Sequence, residues 1–418
     1  MLVLVVGFFA AWAAVYVTGS YQGKPYPYDT FLFKPSDPYS VAPDSPPPAL
    51  VGDHRFGDFY DPWFNTNSGD PYRWWGTRPV GPSTYFPVTH TGLYPLMRLP
   101  YGAAFVVFLS LVLPLITWLV WAGLPRALSL PTRLLATFSL VALASPVLFA
   151  VDRGNIEPLL FLLVAAALIA LNRGRHTIAA LILALPIAMK GAAAVFLLPF
   201  ALERRWRALA ISLAAVVAGT VASLAAFHGP MQESIDGLRS GLSNVGATNG
   251  SGDVAAQHGI SLKGVFIVAG HYQEKFNFFV QHYALVALLL GLVIGLACLV
   301  LPLRRWQILT GLVVFMLLAP SVSKDYRLMY LLLPLLLFLR DPKRTPLDWI
   351  YVSLFGLLLI PKPLPVLWDE VTVGAALNPL LLGVLGAVVI GEGVRRLREG
   401  EPGPLGSWLE ERRGAKPS

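Results

Sequence analysis

The sequence has little charge, because only 13% of its 418 residues are Asp, Glu, Lys or Arg, whereas 55% are hydrophobic. A soluble globular domain carries charge on about a quarter of its residues, so this composition excludes an ordinary soluble protein. Several apolar runs also reach the roughly 20 residues that a helix needs to cross a bilayer. The sequence therefore predicts an all-α polytopic membrane protein.

Cysteine and clustered metal ligands are scarce as well. The single cysteine, Cys298, lies inside an apolar run, which excludes an intramolecular disulfide. The histidines are scattered, and the sequence offers no compact His/Cys group with the spacing of a zinc site. A basic soluble surface is also lacking, so we expect no nucleic-acid partner. The net charge of +8 resides in short loops and the tail, as in cytoplasmic segments that face anionic lipid.

The apolar runs and the basic loops together predict a topology. The N-terminal run lacks the basic region and the cleavage pattern of a signal peptide, so we interpret it as a first membrane helix. About twelve helices result, at 2–18, 103–124, 134–151, 156–171, 177–202 as a pair, 208–227, 283–303, 307–319, 328–339, 347–360 and 373–390. Residues 1–393 form one membrane domain with two long extracytoplasmic loops, 19–99 and 228–282, and 394–418 form a charged cytoplasmic tail.

The segment 177–202 does not fit a single crossing, because basic clusters flank it on both sides. One crossing would place one of these clusters on the wrong face of the membrane. Pro186 and the pair Lys190-Gly191 divide the run into two pieces of about a dozen residues. We therefore predict a pair of short helices that meet near Lys190.

The segment from Gly57 to Pro95 is unusually polar and aromatic for this chain. It carries the carboxylates Asp58, Asp61 and Asp70 within a short distance of each other. The aromatic residues beside them are Tyr60, Trp63, Tyr72, Trp74, Trp75 and Tyr85. A loop that merely joins two helices does not need these side chains, so we interpret the segment as a wall that binds an amphiphilic or sugar-like ligand. The alternative is a folded extracellular cap without chemistry.

Further charged or polar residues fall on the predicted outer side, although they come from distant parts of the chain. They are Arg153, Asn155 and Glu157 at a helix junction, Lys190 at the tip of the short pair, and Lys324, Asp325 and Arg327. Charges at a membrane edge are costly and usually face an internal cavity, so their coincidence predicts an outward cleft. Such a cleft suits a lipid phosphate, which cations can hold while a carboxylate takes a proton from an acceptor hydroxyl. Structural pairing of Arg153 with Asp152 or Glu157, and of Lys324 with Asp325, is the alternative.

Several short motifs precede or follow the predicted helices. In chain order they are Asp58-Phe59, Gly69-Asp70-Pro71-Tyr72, Tyr85-Phe86-Pro87, Arg153-Gly154-Asn155, Ala188-Met189-Lys190, Glu203-Arg204-Arg205-Trp206-Arg207 and Gly259-Ile260-Ser261-Leu262-Lys263-Gly264. In order and spacing these motifs resemble those of the GT-C membrane glycosyltransferases, and in particular of glycosyltransferase family 87. One departure concerns 321–327, where many members carry a histidine that this chain lacks. Either Lys324 or Arg327 replaces it as a phosphate contact, or the sugar differs from the family's mannose.

The resemblance implies a GT-C-like bundle and an inverting sugar transfer on the extracytoplasmic side of the plasma membrane. The donor would be a polyprenyl-phosphate sugar that carries mannose or another hexose or pentose. The acceptor would be a lipid or a glycan, and membrane lipids would be further partners. It also implies a reaction without a metal or another cofactor. Asp58 would be the general base, with Asp61 as the second choice. The implied substrate-binding residues are Tyr85, Trp75, Arg153, Asn155, Glu157, Lys190, Lys263, Lys324, Asp325 and Arg327.

Three other functions remain open at the level of the sequence. A transporter or flippase for a lipid-linked saccharide would also need many helices and a cationic cleft, although no internal repeat is visible between the two halves. A ligase that moves a whole polymer from a lipid diphosphate is the nearest rival among enzymes. A non-catalytic envelope scaffold would not require Asp58.

Overall fold

A computed structural model of the chain describes residues 2–21, 57–73, 83–248, 259–362, 366–368 and 371–406. These ranges are mostly helical. The α-helices are α1 (Leu2–Tyr21), α2 (Gly57–Asn67), α3 (Pro87–Met97), α4 (Tyr101–Gly123), α5 (Leu130–Phe138), α6 (Ser145–Asp152), α7 (Glu157–Asn172), α8 (His176–Lys190), α9 (Leu198–Leu202), α10 (Trp206–Ala226), α11 (Met231–Thr248), α12 (Leu262–Tyr272), α13 (Asn277–Gln281), α14 (Tyr283–Val300), α15 (Arg305–Leu318), α16 (Leu332–Arg340), α17 (Asp348–Leu359) and α18 (Val373–Arg398).

Shorter elements join these helices. They are a π-helical turn at Ser139–Leu143 and 3-10 segments at Ala192–Leu197, Glu274–Phe276 and Asp325–Leu331. Two short antiparallel strands, β1 (Val366–Trp368) and β2 (Val371–Thr372), precede α18. The sequence did not predict these strands. α18 continues past the predicted end of the last helix, so the first residues of the predicted tail are helical.

Four of the described helices, α4, α10, α14 and α18, are long and apolar enough to cross a membrane. The segment 130–152 becomes a fifth candidate if its two parts, which meet at an angle of 45°, count as one span. The bend lies at Ala144, whose backbone is extended, two residues before Pro146. A proline ring lacks the N–H of a helical hydrogen bond and clashes with the carbonyl four residues earlier, so the preceding helix cannot continue through it. The all-α membrane architecture is confirmed, whereas the count of twelve membrane helices stays a prediction.

Polar contacts between distant segments define two ends of the bundle. At one end, called the Asp58 end below, Arg153 binds Asp58 of α2. At the other, the Arg305 end, Arg305 contacts Asn172 at the end of α7 and Glu203 just after α9. Apolar helices between the two ends bury a continuous core of aliphatic and aromatic side chains.

The helical run 177–202 breaks at Lys190-Gly191. α8 ends at Lys190, Gly191 adopts a φ of +72°, and a 3-10 segment and α9 carry the chain onward to Leu202. Lys190 lies at the Asp58 end, whereas Glu203 contacts Arg305 at the opposite end. The run therefore reaches the Asp58 end and returns. Pro186, expected to divide the run as well, lies inside α8 without ending it.

The first predicted loop contains the helices α2 and α3, which sequence patterning did not indicate. Phe59 of α2 is fully buried, and its ring centroid lies 5.2 Å from those of Phe105 and Phe108 in α4. Burial of a phenylalanine side chain contributes about 2 kcal/mol. This contact anchors α2 to a candidate membrane helix and holds the neighbouring Asp58 against the bundle.

Candidate active site

Asp58 lies near the start of α2, and both of its carboxylate oxygens accept hydrogen bonds. Arg153 donates from Nη2 to Oδ1 at 2.7 Å and from Nε to Oδ2 at 3.1 Å. Asn155 Nδ2 also donates to Oδ2, at 2.7 Å. The backbone N–H of Asp58 donates to the carbonyl of Arg153 at 3.0 Å, which satisfies one of the unpaired N–H groups that begin a helix. The junction 153–155 thus binds both the backbone and the side chain of Asp58.

These contacts determine the charge of Asp58. Burial alone would raise the pKa of its carboxyl, but the charge of Arg153 and the hydrogen bonds from Arg153 and Asn155 outweigh burial, so the pKa lies below its usual value. Asp58 is therefore ionised at neutral pH. It can accept a proton only after one of its present donors moves.

A second carboxylate, Glu157, is buried at the start of α7 and faces two cations. Lys190 Nζ donates to Glu157 Oε2 at 2.7 Å, and also to Asn155 Oδ1 at 3.4 Å. Arg327 Nε lies 3.6 Å from Glu157 Oε1. This buried Nε atom has no hydrogen-bond partner among the residues that the structure describes, although Nη1 donates to the carbonyl of Val322 at 3.4 Å. Arg327 therefore retains a donor for a further acceptor.

The segment Tyr85-Phe86-Pro87 holds Tyr85 beside Lys190. The carbonyl of Met189, near the end of α8, accepts hydrogen bonds from the N–H of Phe86 at 3.2 Å and from Oγ1 of Thr89 at 2.8 Å. Carbonyls in the last turn of a helix lack helical partners, so this docking satisfies one of them. Lys190 Nζ then lies 5.3 Å from the centre of the Tyr85 ring, within cation–π range.

Asp61 lies three positions after Asp58 on α2, so the two side chains are neighbours on the helix surface. Its Oδ1 accepts a hydrogen bond from Nδ2 of Asn65. Burial raises the pKa of Asp61 to about 7, with a further rise from the negative charge of Asp58 and an opposing effect of the Asn65 bond. Two neighbouring carboxyl groups thus differ in protonation near neutral pH.

The predicted site residues Lys324 and Asp325 have different surroundings. Burial and the charge of Arg153 lower the pKa of Lys324 to about 8, and the charges of Asp325 and Asp58 oppose this fall. Asp325 instead accepts a hydrogen bond from Asn378 of α18 at 2.9 Å. Burial raises its pKa to about 6, although the Lys362 charge, the Asn378 bond and the Lys324 charge oppose the rise.

The second predicted loop pairs with the segment that carries Lys324. The N–H of Ile260 donates to the carbonyl of Ser323 at 2.9 Å, and Gly259 and Lys324 form an antiparallel bridge. This pairing fixes the backbone next to the site. Lys263, three residues farther on, lies half-buried in the first turn of α12 and makes no ion pair with any residue that the structure describes.

Asp70, the third carboxylate of the segment from Gly57 to Pro95, has a structural role. Gly69 adopts a φ of +82°, and Asp70 Oδ1 accepts a hydrogen bond from the N–H of Tyr72 at 3.0 Å, as in an Asx turn. The hydroxyl of buried Tyr72 donates to the carbonyl of Tyr85 at 2.7 Å. The Gly-Asp-Pro-Tyr motif therefore builds the turn that supports Tyr85, and Asp70 does not join Asp58.

Sequence reasoning missed three residues of this site. Tyr326 places its ring 5.7 Å from Lys190 Nζ, and Tyr330 hydrogen-bonds with Glu157. The third is Asn65, the partner of Asp61. Helical spacing could have indicated Tyr330, because residues three apart in a 3-10 segment, such as Arg327 and Tyr330, lie on the same side of it. The predicted Trp75, by contrast, lies outside the described residues.

The assembled group, called the Asp58 cluster below, has more cations than carboxylates. It comprises Asp58, Arg153, Asn155, Glu157, Lys190 and Arg327. Within these six residues, two carboxylates face three cations, which leaves one excess positive charge. Outside them, the charge of Asp152 acts on Arg153, and those of Asp61 and Lys324 interact with Asp58. The six residues themselves, with an Arg327 Nε that has no hydrogen-bond partner among the described residues, favour an anion over a cation. Within the described ranges no three His, Cys, Asp or Glu side chains are grouped as metal ligands would be.

Comparison with known proteins identifies one family. Residues 84–323, more than half of the chain, match glycosyltransferase family 87. The matched segment includes Arg153, Asn155, Glu157 and Lys190, but it begins after Asp58 and ends before Arg327. No curated protein matches the chain.

Proposed function

Because the chain belongs to glycosyltransferase family 87 and is a glycosyltransferase, we propose that it moves one sugar from a polyprenyl-phosphate donor to a hydroxyl of a lipid or glycan acceptor. The sugar is mannose or another hexose or pentose. The observation that supports this proposal most directly is the excess positive charge of the Asp58 cluster. A lipid-linked phosphate is the anion that such a cluster, at one end of a bundle of membrane helices, is suited to hold.

In this proposal the cations hold the phosphate of the donor. Arg327 is the first contact, because its buried Nε atom has no hydrogen-bond partner among the described residues. Lys190 and Arg153 add charge on either side of Asn155. Lys324 lies near enough to interact with Asp58 and Arg153. The phosphate leaves more readily when these cations meet its developing charge.

Asp58 is the proposed general base. The acceptor oxygen forms a bond to the anomeric carbon, its proton passes to the Asp58 carboxylate, and the bond from that carbon to the phosphate oxygen breaks. The electron pair of the broken bond leaves with the polyprenyl phosphate, and the anomeric centre inverts. Asp61, whose pKa is raised to about 7, is the alternative proton acceptor.

Donor binding also activates the base in this scheme. Arg153 and Asn155 occupy both carboxylate oxygens of Asp58 in the observed arrangement. A phosphate oxygen is a strong acceptor for a guanidinium group, so a bound donor competes with Asp58 for Arg153. Movement of Arg153 towards the phosphate frees one Asp58 oxygen for the acceptor hydroxyl.

The reaction takes place on the extracytoplasmic side of the plasma membrane in this proposal. The segments 203–207 and 340–344 are rich in arginine and lie at the Arg305 end. Basic segments favour the cytoplasmic side, which leaves the Asp58 end outside.

Sugar transfer by the purified protein tests the proposal. The full chain in detergent is incubated with a membrane lipid extract as the source of acceptors and with a panel of polyprenyl-phosphate hexoses and pentoses. Release of polyprenyl phosphate and formation of the glycosylated product are followed by mass spectrometry. Asp58→Asn should lower turnover about 100-fold or more, because general-base catalysis contributes that much. Asp348→Asn, a carboxylate-to-amide change in a partly exposed ion pair with Arg344, is the matched control and should retain activity, because the amide oxygen can still accept the hydrogen bonds from Thr345.

Each rival function predicts a different result. Near-normal turnover in a well-folded Asp58→Asn protein would place the base elsewhere, with Asp61 examined next. Transfer only from a polymer linked to lipid diphosphate would indicate the ligase. Movement of intact lipid-linked sugar across a vesicle membrane without a new glycosidic bond would indicate a flippase.

A further inference from the structure

A separate cavity of about 340 Å³ lies at the other end of α2 from Asp58. Its walls come from the end of α2, from α3 and from the last residue of α10, together with the connecting residues Gly69, Arg98, Phe227 and His228. Thr66 lies eight residues after Asp58, which corresponds to about 12 Å along a helix. The volume falls in the range of small-ligand sites, and the cavity is spatially distinct from the Asp58 cluster.

Two threonine hydroxyls line this cavity and are held in place by buried partners. Thr66 Oγ1 lies 2.9 Å from His90 Nδ1, and His90 Nε2 lies 2.9 Å from Ser83 Oγ. Burial lowers the pKa of His90 to about 3, so its ring is neutral and bonds one group as donor and the other as acceptor. In either tautomer the Thr66 hydroxyl keeps capacity for a further hydrogen bond. Thr91 is held similarly, with Oγ1 2.6 Å from Ser223 Oγ.

Arg98 provides the positive charge of the cavity. Its guanidinium lies 5.7 Å from the centre of the Tyr94 ring, and it forms no ion pair within the described ranges. The nearby Asp70 carboxylate is bonded to Tyr72 and to Ser234 and does not line the cavity. A guanidinium without a carboxylate partner favours an anionic ligand, and phosphate matches its geometry.

Aromatic rings complete the walls. Tyr94 and Phe227 line the cavity, and the Arg98 guanidinium lies over the Tyr94 ring. A phosphate alone has no apolar surface that could pack on these rings. A polyol that carries a phosphate would use all three kinds of group, because its C–H surface packs on the rings and its hydroxyls bond the threonines.

The position of the cavity indicates how such a ligand reaches it. Candidate membrane helix α10 ends at Ala226 in the cavity wall, and candidate membrane helix α4 begins at Tyr101, three residues after Arg98. The cavity therefore lies where two membrane helices meet the surface of the bilayer, at the depth of lipid headgroups.

We propose that this cavity binds the phosphate-bearing polyol headgroup of a membrane lipid, or the same group on a soluble molecule. Arg98 binds the phosphate, Thr66 and Thr91 bind polyol hydroxyls, and Tyr94 and Phe227 flank the ring or chain of the polyol. Binding at this cavity requires no sugar transfer, so the inference stands independently of the proposed reaction.

Native mass spectrometry of the full-length protein in detergent tests this inference. The retained lipid is measured during titration with phosphatidylglycerol, and separately with phosphatidylcholine of the same acyl chains. Arg98→Gln removes the cation, and Ala226→Phe fills the cavity from its exposed wall. Each variant should bind phosphatidylglycerol about tenfold more weakly. Arg98→Gln loses a hydrogen bond to a charged group, and the ring introduced by Ala226→Phe occupies the space of the headgroup. Arg126→Gln, which removes an exposed arginine far from the cavity, should not alter binding.

Further measurements separate the sources of the ligand and the two proposals. If glycerol phosphate displaces phosphatidylglycerol from the wild-type protein but not from either variant, the cavity recognises the headgroup chemistry and also accepts it from a soluble molecule. Equal retention of phosphatidylglycerol and phosphatidylcholine, or unchanged binding in Ala226→Phe, would overturn the inference. Asp58→Asn should bind phosphatidylglycerol normally. A wild-type protein that binds this lipid in the cavity but transfers no sugar would contradict the proposed function and leave this inference intact.

Discussion

Asp58 and Asp61 show how surroundings decide the protonation of two identical side chains. They are three positions apart on α2, but among the described residues only Asp58 of the two has an arginine partner. Arg153 holds the pKa of Asp58 low despite burial, whereas burial raises that of Asp61 to about 7. Because the charges are close, deprotonation of Asp61 makes Asp58 a stronger proton acceptor.

This coupling predicts a pH dependence of sugar transfer. Asp58 is already ionised at neutral pH, so the rate should rise with pH through about 7 as Asp61 loses its proton. Asp61→Asn should abolish this inflection, which a profile of kcat/KM between about pH 5 and 9 measures. The control variant Asp348→Asn should keep the inflection near pH 7. A flat wild-type profile over that range, or an inflection that persists in Asp61→Asn, would contradict the coupling.

Glu157 is predicted to be essential for stability as well as for the charge of the site. Its side chain is 1% exposed and faces both Lys190 and Arg327. Glu157→Gln leaves two cations without this carboxylate, and removal of one partner from a buried pair costs about 3 to 5 kcal/mol. The apparent melting temperature in detergent should therefore fall clearly, and a second change, Lys190→Gln, should restore part of the loss.

The matched control is Glu399→Gln, which breaks an ion pair with Arg395 in which both side chains are 53% exposed. Surface pairs contribute little, so this change should barely move the melting temperature. Equal melting temperatures for Glu157→Gln and Glu399→Gln would refute the buried role of Glu157.

The candidate site was predictable from the sequence only in part. Asp58, Arg153 and Lys190 stood out because charges are rare in this chain and cluster at predicted helix ends. Their pairing depends on distances between remote segments, which local patterning does not contain. For the same reason, the sequence could not show that Asp70 closes a turn or that Asp325 faces α18.

At the level of elements, the break between α8 and the following 3-10 segment positions Lys190. Gly191 has a φ of +72°, and a Cβ atom there would lie 3.1 Å from the Phe86 ring. That ring belongs to the segment that docks on Met189 and supports Tyr85. Glycine is therefore favoured at the tip of α8 for two reasons: it adopts a positive φ without strain, and it has no Cβ atom to crowd the Phe86 ring.

Gly191→Ala should destabilise the protein and impair transfer, and Gly174→Ala provides the matched control. Gly174 has a φ of +71°, but a Cβ atom there would meet nothing within 4 Å, so its substitution costs only the backbone strain, about 1 to 2 kcal/mol. Gly191→Ala should lower the melting temperature further and raise the KM for the donor, because the Tyr85 segment must shift. Equal effects of both variants on stability and KM would show that Phe86 packing is unimportant.

The elements were predicted with unequal success, for a physical reason. Predicted boundaries for α4, α10 and α14 lie within a few residues of those observed, because apolar length alone determines a membrane helix. The helices α2 and α3 have mixed composition, and each contains a proline, so no periodic pattern indicated them. Tertiary contacts such as that of Phe59 with α4 stabilise them instead.

For the whole molecule, arginine distribution predicts the orientation in the membrane. Exposed arginines at the Arg305 end lie in short connections, whereas Arg153 and Arg327 at the Asp58 end face carboxylates inside the bundle. Exposed positive charge in short loops favours the cytoplasm, so the Asp58 end should face outward.

Cysteine labelling tests this orientation. Cys298 is buried and can be replaced by serine to give a background without reactive thiols. In that background, Gln232→Cys places a thiol on exposed α11 at the Asp58 end, and Arg126→Cys places one after α4 at the Arg305 end. A membrane-impermeant maleimide should label position 232 in intact cells and position 126 only after permeabilisation. The reverse pattern would put the Asp58 cluster on the cytoplasmic side, where the proposed extracytoplasmic transfer could not take place.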